Sequence, residues 1–263
     1  MDQELADWVA AGQGHELRKE AAQRMLTCFR ERATALDLGF LRLTTLPRCL
    51  GNLSSLQSLD VSFNTLTTLP EHFCDLHRLQ NLVVSGNRLT QLPERIGDLL
   101  SLHTLDASDN PLTELGDGIG DVSSLQSLDV SGNKLTELPA RLGDLSSLCT
   151  LVASGNQLKE LPDRIGDLAS LQYLDVSDNA LSGLPETMRK VRSLQVMDLS
   201  GNQFTQLPGC LDALALLHYL DVSNNALSPF SDGAPAALRS PSPACATASD
   251  GSPPVTSVVA SRR

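Results

Sequence analysis

Cysteine and histidine are the residues of this sequence best suited to act as nucleophiles, bases or metal ligands, and both are scattered along it. The six cysteines are Cys28, Cys49, Cys74, Cys149, Cys210 and Cys245. They form no Cys-x-x-Cys pair and no clustered disulfide framework, which favours a reducing compartment. Cys49, Cys74 and Cys210 lie in connecting segments where a small apolar side chain can be buried. We therefore predict that these three pack in the core.

Aspartate, in contrast, recurs at a fixed spacing. The series, with members 23 residues or a multiple of 23 apart, is Asp60, Asp106, Asp129, Asp175, Asp198 and Asp221. A carboxylate repeated in this way indicates a solvated surface position rather than a catalytic pair. His103 and His218 occupy equivalent positions five units apart, which in a parallel sheet separates them by more than about 20 Å. With no phosphate loop or nucleophile elbow either, the sequence predicts no enzyme, no cofactor and no metal site.

The aspartate spacing belongs to a repeat that covers most of the chain. Residues 125–147, LQSLDVSGNKLTELPARLGDLSS, represent its unit, and an asparagine marks successive copies without a shift. The marker residues are Asn64, Asn87, Asn110, Asn133, Asn156, Asn179, Asn202 and Asn225. A fixed period of this length is typical of a stacked solenoid, and the pattern Leu-x-x-Leu-x-Leu-x-x-Asn-x-Leu is identified as a leucine-rich repeat.

Each unit contains a short strand followed by a turn. Leu128 and Val130 alternate with polar neighbours, so we expect them to point inward from a strand whose other side faces solvent. Strands of successive units then pair into a parallel sheet. The amide of Asn133 follows this strand, where it can satisfy backbone N–H and C=O groups that would otherwise be buried unpaired. We interpret the asparagine series as structural.

The sequence predicts an α/β leucine-rich repeat solenoid (a horseshoe with a concave parallel sheet) in three parts. Residues 1–34 form an N-terminal helical cap, residues 35–230 form nine repeats, and residues 231–263 form a disordered tail rich in Ser, Pro and Ala. The first repeat has Leu41 in place of the marker asparagine, as is common for an end repeat. The segments connecting the strands are too short for more than one or two turns of helix, which we expect on the convex side.

The non-repeating N-terminal segment predicts two helical pieces separated by Gly12 and Gly14. The second piece places a set of mainly apolar residues on one face, namely Leu17, Ala21, Met25, Cys28 and Phe29. The open end of the solenoid would otherwise expose leucines, so we predict that this face covers it, with Trp8 as a plug. The alternative is a helix that binds a partner.

The net charge of −11 limits the partners that the chain can have. Of 31 acidic and 20 basic residues, 23 and 12 lie between residues 37 and 228, so the repeats carry the whole excess. This charge argues against nucleic acid and anionic membranes, and favours a partner protein with basic groups. No 18-residue apolar run or Sec-type signal is present, so we expect a cytoplasmic, monomeric protein.

The repeat resembles the intracellular 23-residue class of leucine-rich repeats found in Ras-pathway scaffolds and bacterial effectors. Arg24-Met25-x-x-Cys28, followed by a first repeat ending in Leu46-Pro47-Arg48-Cys49-Leu50, resembles the cap of IpaH-type type III secreted effectors. Repeats in that family are usually shorter, near 20 residues. Its ubiquitin ligase domain uses a cysteine in a Cys-x-Asp motif, which Cys74-Asp75 does not match. The resemblance implies a substrate-recognition part without its enzyme, or an effector secreted into a host cell; a cytosolic scaffold is the alternative.

The binding site is expected on the concave face, where the late repeats depart most from the consensus. The residues that differ there are His103, Tyr173, Val196, His218 and Tyr219, and the aspartates beside them are Asp175, Asp198 and Asp221. Tyrosines flanked by carboxylates are typical of a polar surface that receives Arg or Lys from another protein. The alternatives are a site on the convex side or an edge, and a concave face that binds nothing.

Overall fold

The computed structural model describes residues 1–228 and 257–259, and it confirms the predicted solenoid. Two α-helices, α1 (Asp2–Ala10) and α2 (Arg18–Glu31), precede the repeats. The strands are β1 (Ala35–Asp37), β2 (Ser58–Asp60), β3 (Asn81–Val83), β4 (Thr104–Asp106), β5 (Ser127–Asp129), β6 (Thr150–Val152), β7 (Tyr173–Asp175), β8 (Val196–Asp198), β9 (Tyr219–Asp221) and β10 (Ser257–Val259). We call the 23-residue unit that contains a given strand its coil.

Each segment that connects two successive strands from β1 to β9 contains one five-residue 3₁₀-helix, in agreement with the predicted length. These helices are η1 (Arg48–Asn52), η2 (Glu71–Asp75), η3 (Glu94–Asp98), η4 (Asp117–Asp121), η5 (Ala140–Asp144), η6 (Asp163–Asp167), η7 (Glu186–Lys190) and η8 (Gly209–Ala213). Glycine lets neighbouring segments approach closely: a Cβ on Gly120 would lie 2.5 Å from the carbonyl oxygen of Arg141 in the next coil. We call the side of the molecule formed by these helices the convex side.

The strands form one open parallel sheet in sequence order from β1 to β10. From β1 to β9, paired residues are always 23 positions apart, as in the pairing of Leu128 with Leu151. From β1 to β9, the central residue of each strand points into the core; Leu128 and the following Val130 are both fully buried. The core is therefore a stack of aliphatic ladders, in which each coil packs mainly on its two neighbours.

The marker asparagines form the predicted ladder of backbone contacts. Asn133 Oδ1 accepts the N–H of Leu112 at 3.0 Å, and its Nδ2 donates to the carbonyls of Ala107 and Val130 at 3.0 and 2.9 Å. A third acceptor is Ser131. Since these groups lie between coils and are mostly buried, the amide replaces the water that they would otherwise need.

The N-terminal helices pack on the first coil, as the apolar pattern of α2 predicts. Ala21, Met25 and Cys28 are buried. Leu17 and Phe29, which we also expected on this face, are instead 46% and 47% exposed. Leu17 precedes the first helical residue and so lies outside the helical face, while Phe29 is rotated by about 100° from Cys28 around the axis.

A buried polar network fastens the cap to the first coil. The Arg18 guanidinium lies 4.9 Å from the centre of the Trp8 ring, donates to the Trp8 carbonyl at 2.7 Å, and has its Nε 3.1 Å from Glu16 Oε2. Glu16 Oε1 accepts the N–H and the hydroxyl of Thr44, both at 2.7 Å. Trp8 also donates from Nε1 to the hydroxyl of Thr45 at 3.2 Å. Trp8 is buried as predicted, and hydrogen bonds as well as packing hold it in place.

The side chain of Glu16, including its carboxyl group, has no solvent-exposed surface. Burial alone would raise its pKa, but hydrogen bonds from the Gln13 N–H, from Thr44 and from Arg18 outweigh burial and lower the pKa to about 2. Glu16 is therefore an anion at neutral pH, and Arg18 is its buried partner.

The predicted disordered tail, residues 231–263, lies outside the described residues except for β10. Ser257–Val259 forms a strand that pairs in parallel with β9, with Val258 opposite Leu220. The backbone of these three residues extends the sheet by one strand.

Candidate protein-binding surface

The structure brings most of the predicted site residues together on three adjacent strands. Tyr173, Val196 and Tyr219 are the first residues of β7, β8 and β9 and are paired across the sheet. Asp175, Asp198 and Asp221 are the last residues of the same strands and are paired in the same way. We call these six residues, together with His218, the late-coil surface.

His218 belongs to this surface by sequence position, and His103 does not. His218 directly precedes Tyr219 in β9, and its Nδ1 lies 3.4 Å from the carbonyl oxygen of Leu216. His103 precedes β4, which is three strands away from β7 in the sheet. The two histidines therefore lie too far apart to act on one group, as their spacing predicts.

The aspartates of the sheet have a structural role that the sequence analysis missed. Asp175 Oδ1 accepts the N–H of Ser177 at 2.9 Å and its hydroxyl at 2.7 Å. Asp198 and Asp221 accept the N–H of the residue two positions later in the same way, both at 2.8 Å. An aspartate that bonds to the backbone two residues later is a known turn signal and could have been predicted from Asp-x-Ser. One oxygen of each carboxylate thus fixes the turn out of the strand.

The tyrosines and carboxylates of the late-coil surface act on each other electrostatically. Burial raises the pKa of Tyr173, and the negative charges of Asp175 and Asp198 raise it further. Burial and the charges of Asp221 and Asp198 raise the pKa of Tyr219 as well. Both phenols therefore remain protonated donors at neutral pH, in a local field that attracts cations.

A second unusual feature lies at the other end of the sheet, in the turns that follow β1 and β2. Phe40 and Phe63 have positive φ angles of 59° and 50°, a region that bulky residues rarely occupy. Their rings stack with centroids 4.6 Å apart, yet remain 69% and 51% exposed. Later coils have glycine, aspartate or asparagine at this position. The departure from glycine was visible in the sequence, but only the structure gives the stacking and the backbone angle.

The cysteines of the described residues are mostly buried, as predicted for those in the connecting segments. Burial, together with the charge of nearby carboxylates, raises the pKa of Cys49 to about 11 and that of Cys74 to about 12. It also raises the pKa of Cys28 and Cys210. These four thiols stay protonated at neutral pH and are poor nucleophiles. Cys245 lies outside the described residues.

In residues 1–228 and 257–259, no three His, Cys, Asp or Glu side chains are arranged to hold a metal ion. In the same part of the chain, no helix combines the length and the apolar character needed to cross a membrane.

Stacked coils, a parallel sheet and an asparagine ladder together define a leucine-rich repeat solenoid. Family models agree with the structure: a model described as leucine-rich repeat region matches residues 94–179. A second, described as leucine rich repeat, matches residues 31–89, 157–204 and 169–227. The chain belongs to the leucine-rich repeat proteins. None of the curated proteins matches it closely enough to suggest a narrower assignment.

Several solved structures are similar to this chain. A leucine-rich repeat protein of Leptospira interrogans is 32% identical with a TM-score of 0.71, over 78% of this chain and 59% of that one. YopM, a leucine-rich effector protein of Yersinia pestis, is 30% identical with a TM-score of 0.72, over 85% and 59%. The functional domain of InlJ from Listeria monocytogenes is 27% identical with a TM-score of 0.64, over 74% and 40%. This chain thus spans 59% of the length of each of the first two.

Proposed function

We propose that this protein is a non-catalytic binding module that receives basic side chains of a partner protein on its late-coil surface. The observation that carries the proposal is the pairing of Tyr173, Val196 and Tyr219 across three strands, with a matching row of aspartates beside them. An Arg or Lys of the partner would gain the field of the carboxylates and the faces of the phenol rings. A cation on an exposed aromatic ring is stabilised by about 0.5–1 kcal/mol.

The test replaces the individual residues with those at equivalent positions of other coils. Tyr173→Ser, Val196→Thr and Tyr219→Thr introduce the side chains of Ser127 and Thr150, so the combined variant is expected to fold normally. Binding partners captured on the wild-type chain should be lost from this variant, with affinity lowered at least about tenfold. The matched control, Thr104→Ser with Ser127→Thr, should retain them. Equal capture by both variants would contradict the proposal.

The non-catalytic part of the proposal is supported by the burial of four of the five thiols in the described residues; the fifth, Cys149, is partly exposed. Cys28, Cys49, Cys74 and Cys210 are buried and protonated, and a ubiquitin ligase of the cysteine type needs an accessible thiolate. Incubation of the purified chain with E1, an E2 and ubiquitin should give no thioester and no ubiquitin chains. A reducible ubiquitin adduct on any cysteine would show that the chain is itself a ligase.

We further propose that the module acts as a secreted bacterial effector. The similarity to YopM supports this setting, and so does the cap, in which Arg24 donates to the carbonyl of Asp37 at 2.8 Å while Met25 and Cys28 are buried. There are two alternatives. The same cap residues suggest that the chain is the substrate-recognition part of a ubiquitin ligase, and the repeat class suggests a cytosolic scaffold of the Ras-pathway type.

Reporter fusions and capture experiments distinguish these settings. An effector should carry a fused reporter into host cells through a type III system and should capture a protein from host lysate. A cytosolic scaffold should capture its partner from the source cell instead. Light scattering should give the mass of a monomer; a dimer would place part of the surface in a self-contact.

A further inference from the structure

The convex side of the solenoid carries a regular pattern of opposite charges. Arg141 lies 3.3 Å from Asp144 in its own coil and also contacts Asp121 in the preceding coil. Arg164 repeats the arrangement with Asp144 and Asp167, at 2.6 and 3.1 Å. The aspartates occupy the last position of successive 3₁₀-helices, namely Asp75, Asp98, Asp121, Asp144 and Asp167. The arginines on this side of the middle coils are thus each paired with two aspartates within the molecule.

In the coil of β7 this pattern changes sign. Lys190 occupies the position of the aspartates, Arg189 replaces a glycine such as Gly166, and Arg192 follows two residues later. Together with Ala213 and Ala215 of the next coil, these three residues line one open cleft. We call these five residues the basic turn patch.

The charges of this patch are largely unpaired. Arg189 lies 3.5 Å from Glu186, and both side chains are more than half exposed, so this ion pair is weak. Lys190 and Arg192 form no ion pair within 4.0 Å with any residue of 1–228 and 257–259. Beside them, Ala213 replaces the recurring aspartate and the 56% exposed Leu216 replaces a recurring serine, while Ala215 matches Ala169 of an earlier coil. The result is a cationic surface with an apolar border on an otherwise acidic chain.

We propose that the basic turn patch binds an acidic segment of another polypeptide. The three cations would contact its Asp or Glu side chains, and Ala213 and Ala215 would contact small apolar side chains between them. Charge complementarity favours this occupant, and the small extent of the patch disfavours long polyanions. Nucleic acid needs a longer run of phosphate contacts, and on either side it would meet carboxylates such as Asp167 and Asp212. The chain's own segment 229–263 has two acidic and three basic residues, so it is not a suitable occupant.

This site is independent of the late-coil surface. The basic turn patch lies on the connecting segments, whereas the late-coil surface lies on the strands of the same coils. One module could therefore hold a basic partner on its sheet and an acidic partner on its convex side at the same time.

The experiment titrates the full chain into a short labelled peptide of alternating Glu and Leu and measures its fluorescence anisotropy. A peptide of alternating Gln and Leu, of equal length, serves as the uncharged control. The patch variant is Arg189→Gly, Lys190→Ala and Arg192→Ser, which introduces the residues of Gly166, Ala213 and Ser146. The control variant, Arg88→Ser, Lys134→Ser and Lys159→Ser, removes the same charge from exposed positions elsewhere.

The wild type should bind the Glu peptide more tightly than the Gln peptide, with an affinity that falls as salt is added. The patch variant should lose about tenfold in affinity, while the control variant stays within about twofold. Equal binding of both peptides by the wild type, or unchanged affinity of the patch variant for the Glu peptide, would overturn the proposal. Neither result can be caused by misfolding of the patch variant. Tighter patch-dependent binding of phosphatidylserine vesicles or single-stranded RNA would also overturn it, as would self-association that the patch variant abolishes.

Discussion

The two ends of the solenoid depart from the repeat in opposite ways. At the N-terminal end, the non-repeating residues Glu16 and Arg18 are buried and bonded to one another and to the first coil. In the late coils, the individual residues Tyr173 and Tyr219 point outward and leave the leucine ladder beneath them unchanged. The residues that depart from the repeat thus close the core at the N-terminal end, whereas in the late coils they vary a surface.

The difference follows from the physics of a stacked array. An end coil has no neighbour on one side, so its buried polar groups need partners supplied by the cap. An inner or late coil has its backbone satisfied by the asparagine ladder and can change its outward residues at little cost. Stability and recognition can therefore be varied separately, and the following substitutions test that separation.

The largest effect is expected from Arg18→Ala. It would leave the Glu16 carboxylate buried without its cation and remove the hydrogen bond to the Trp8 carbonyl. Breaking a buried pair in this way typically costs about 3–5 kcal/mol, which urea unfolding would measure. Arg95→Ala, which removes an exposed pair on the convex side, should leave the unfolding midpoint nearly unchanged. Similar losses for both variants would show that the cap network is not special.

Next in size is the contrast between two asparagines of the ladder. Asn133→Ala leaves a buried N–H and several carbonyls between inner coils without hydrogen-bond partners. The expected loss of unfolding free energy is about 2–4 kcal/mol. Asn225→Ala removes the same types of contact in the last repeat, where the residue is only partly buried and water can replace them. Its cost should be roughly half as large. Equal costs would indicate that the segment beyond β9 shields the last coil as well as a full repeat does.

Acid should weaken the contact between the cap and the first coil. The pKa of Glu16 is about 2 in the folded state, against 4.5 for a free glutamate, so the stabilisation is complete above pH 4.5. It is lost as the pH falls from about 4.5 towards about 2, because the unfolded chain then binds a proton that the folded chain excludes. The difference in unfolding free energy between the wild type and Glu16→Gln should therefore shrink over this range. A constant difference would contradict the assignment of Glu16 as a buried anion.

The smallest effect is expected from Phe63→Gly. Glycine accepts the positive φ at this position, which relieves strain of about 1 kcal/mol, while the loss of the stack with Phe40 costs a similar amount. The unfolding free energy should change by less than about 1 kcal/mol. Gly132→Ala is the matched opposite: φ is +63° and a Cβ would lie 2.5 Å from Asp109 Oδ1, so it should destabilise. If Phe63→Gly destabilises strongly, the aromatic pair belongs to the core and not to the surface.

The sequence predicts the repeated part of the fold well and the individual part poorly. Leu128, Val130 and Asn133 have the roles that the period assigns to them, because each position is sampled many times along the chain. The Glu16–Arg18 pair occurs once, and nothing in its spacing reveals that Thr44 will meet it. The residues of the late-coil surface stand out in the sequence because they depart from a consensus, whereas the turn role of Asp175 is hidden by that same consensus. Leu17 and Phe29 show the limit of helical periodicity at the ends of a helix.

Because paired strands from β1 to β9 are always offset by 23 residues, the length of the sheet changes in fixed steps when whole coils are added or removed. Removing residues 104–126 would join two equivalent positions and shift every later strand by one step, about 4.8 Å, towards the cap. Adding a unit would move them the same distance away. The separation between Phe40 and the late-coil surface can thus be changed in whole increments of one coil, without altering the residues at either place.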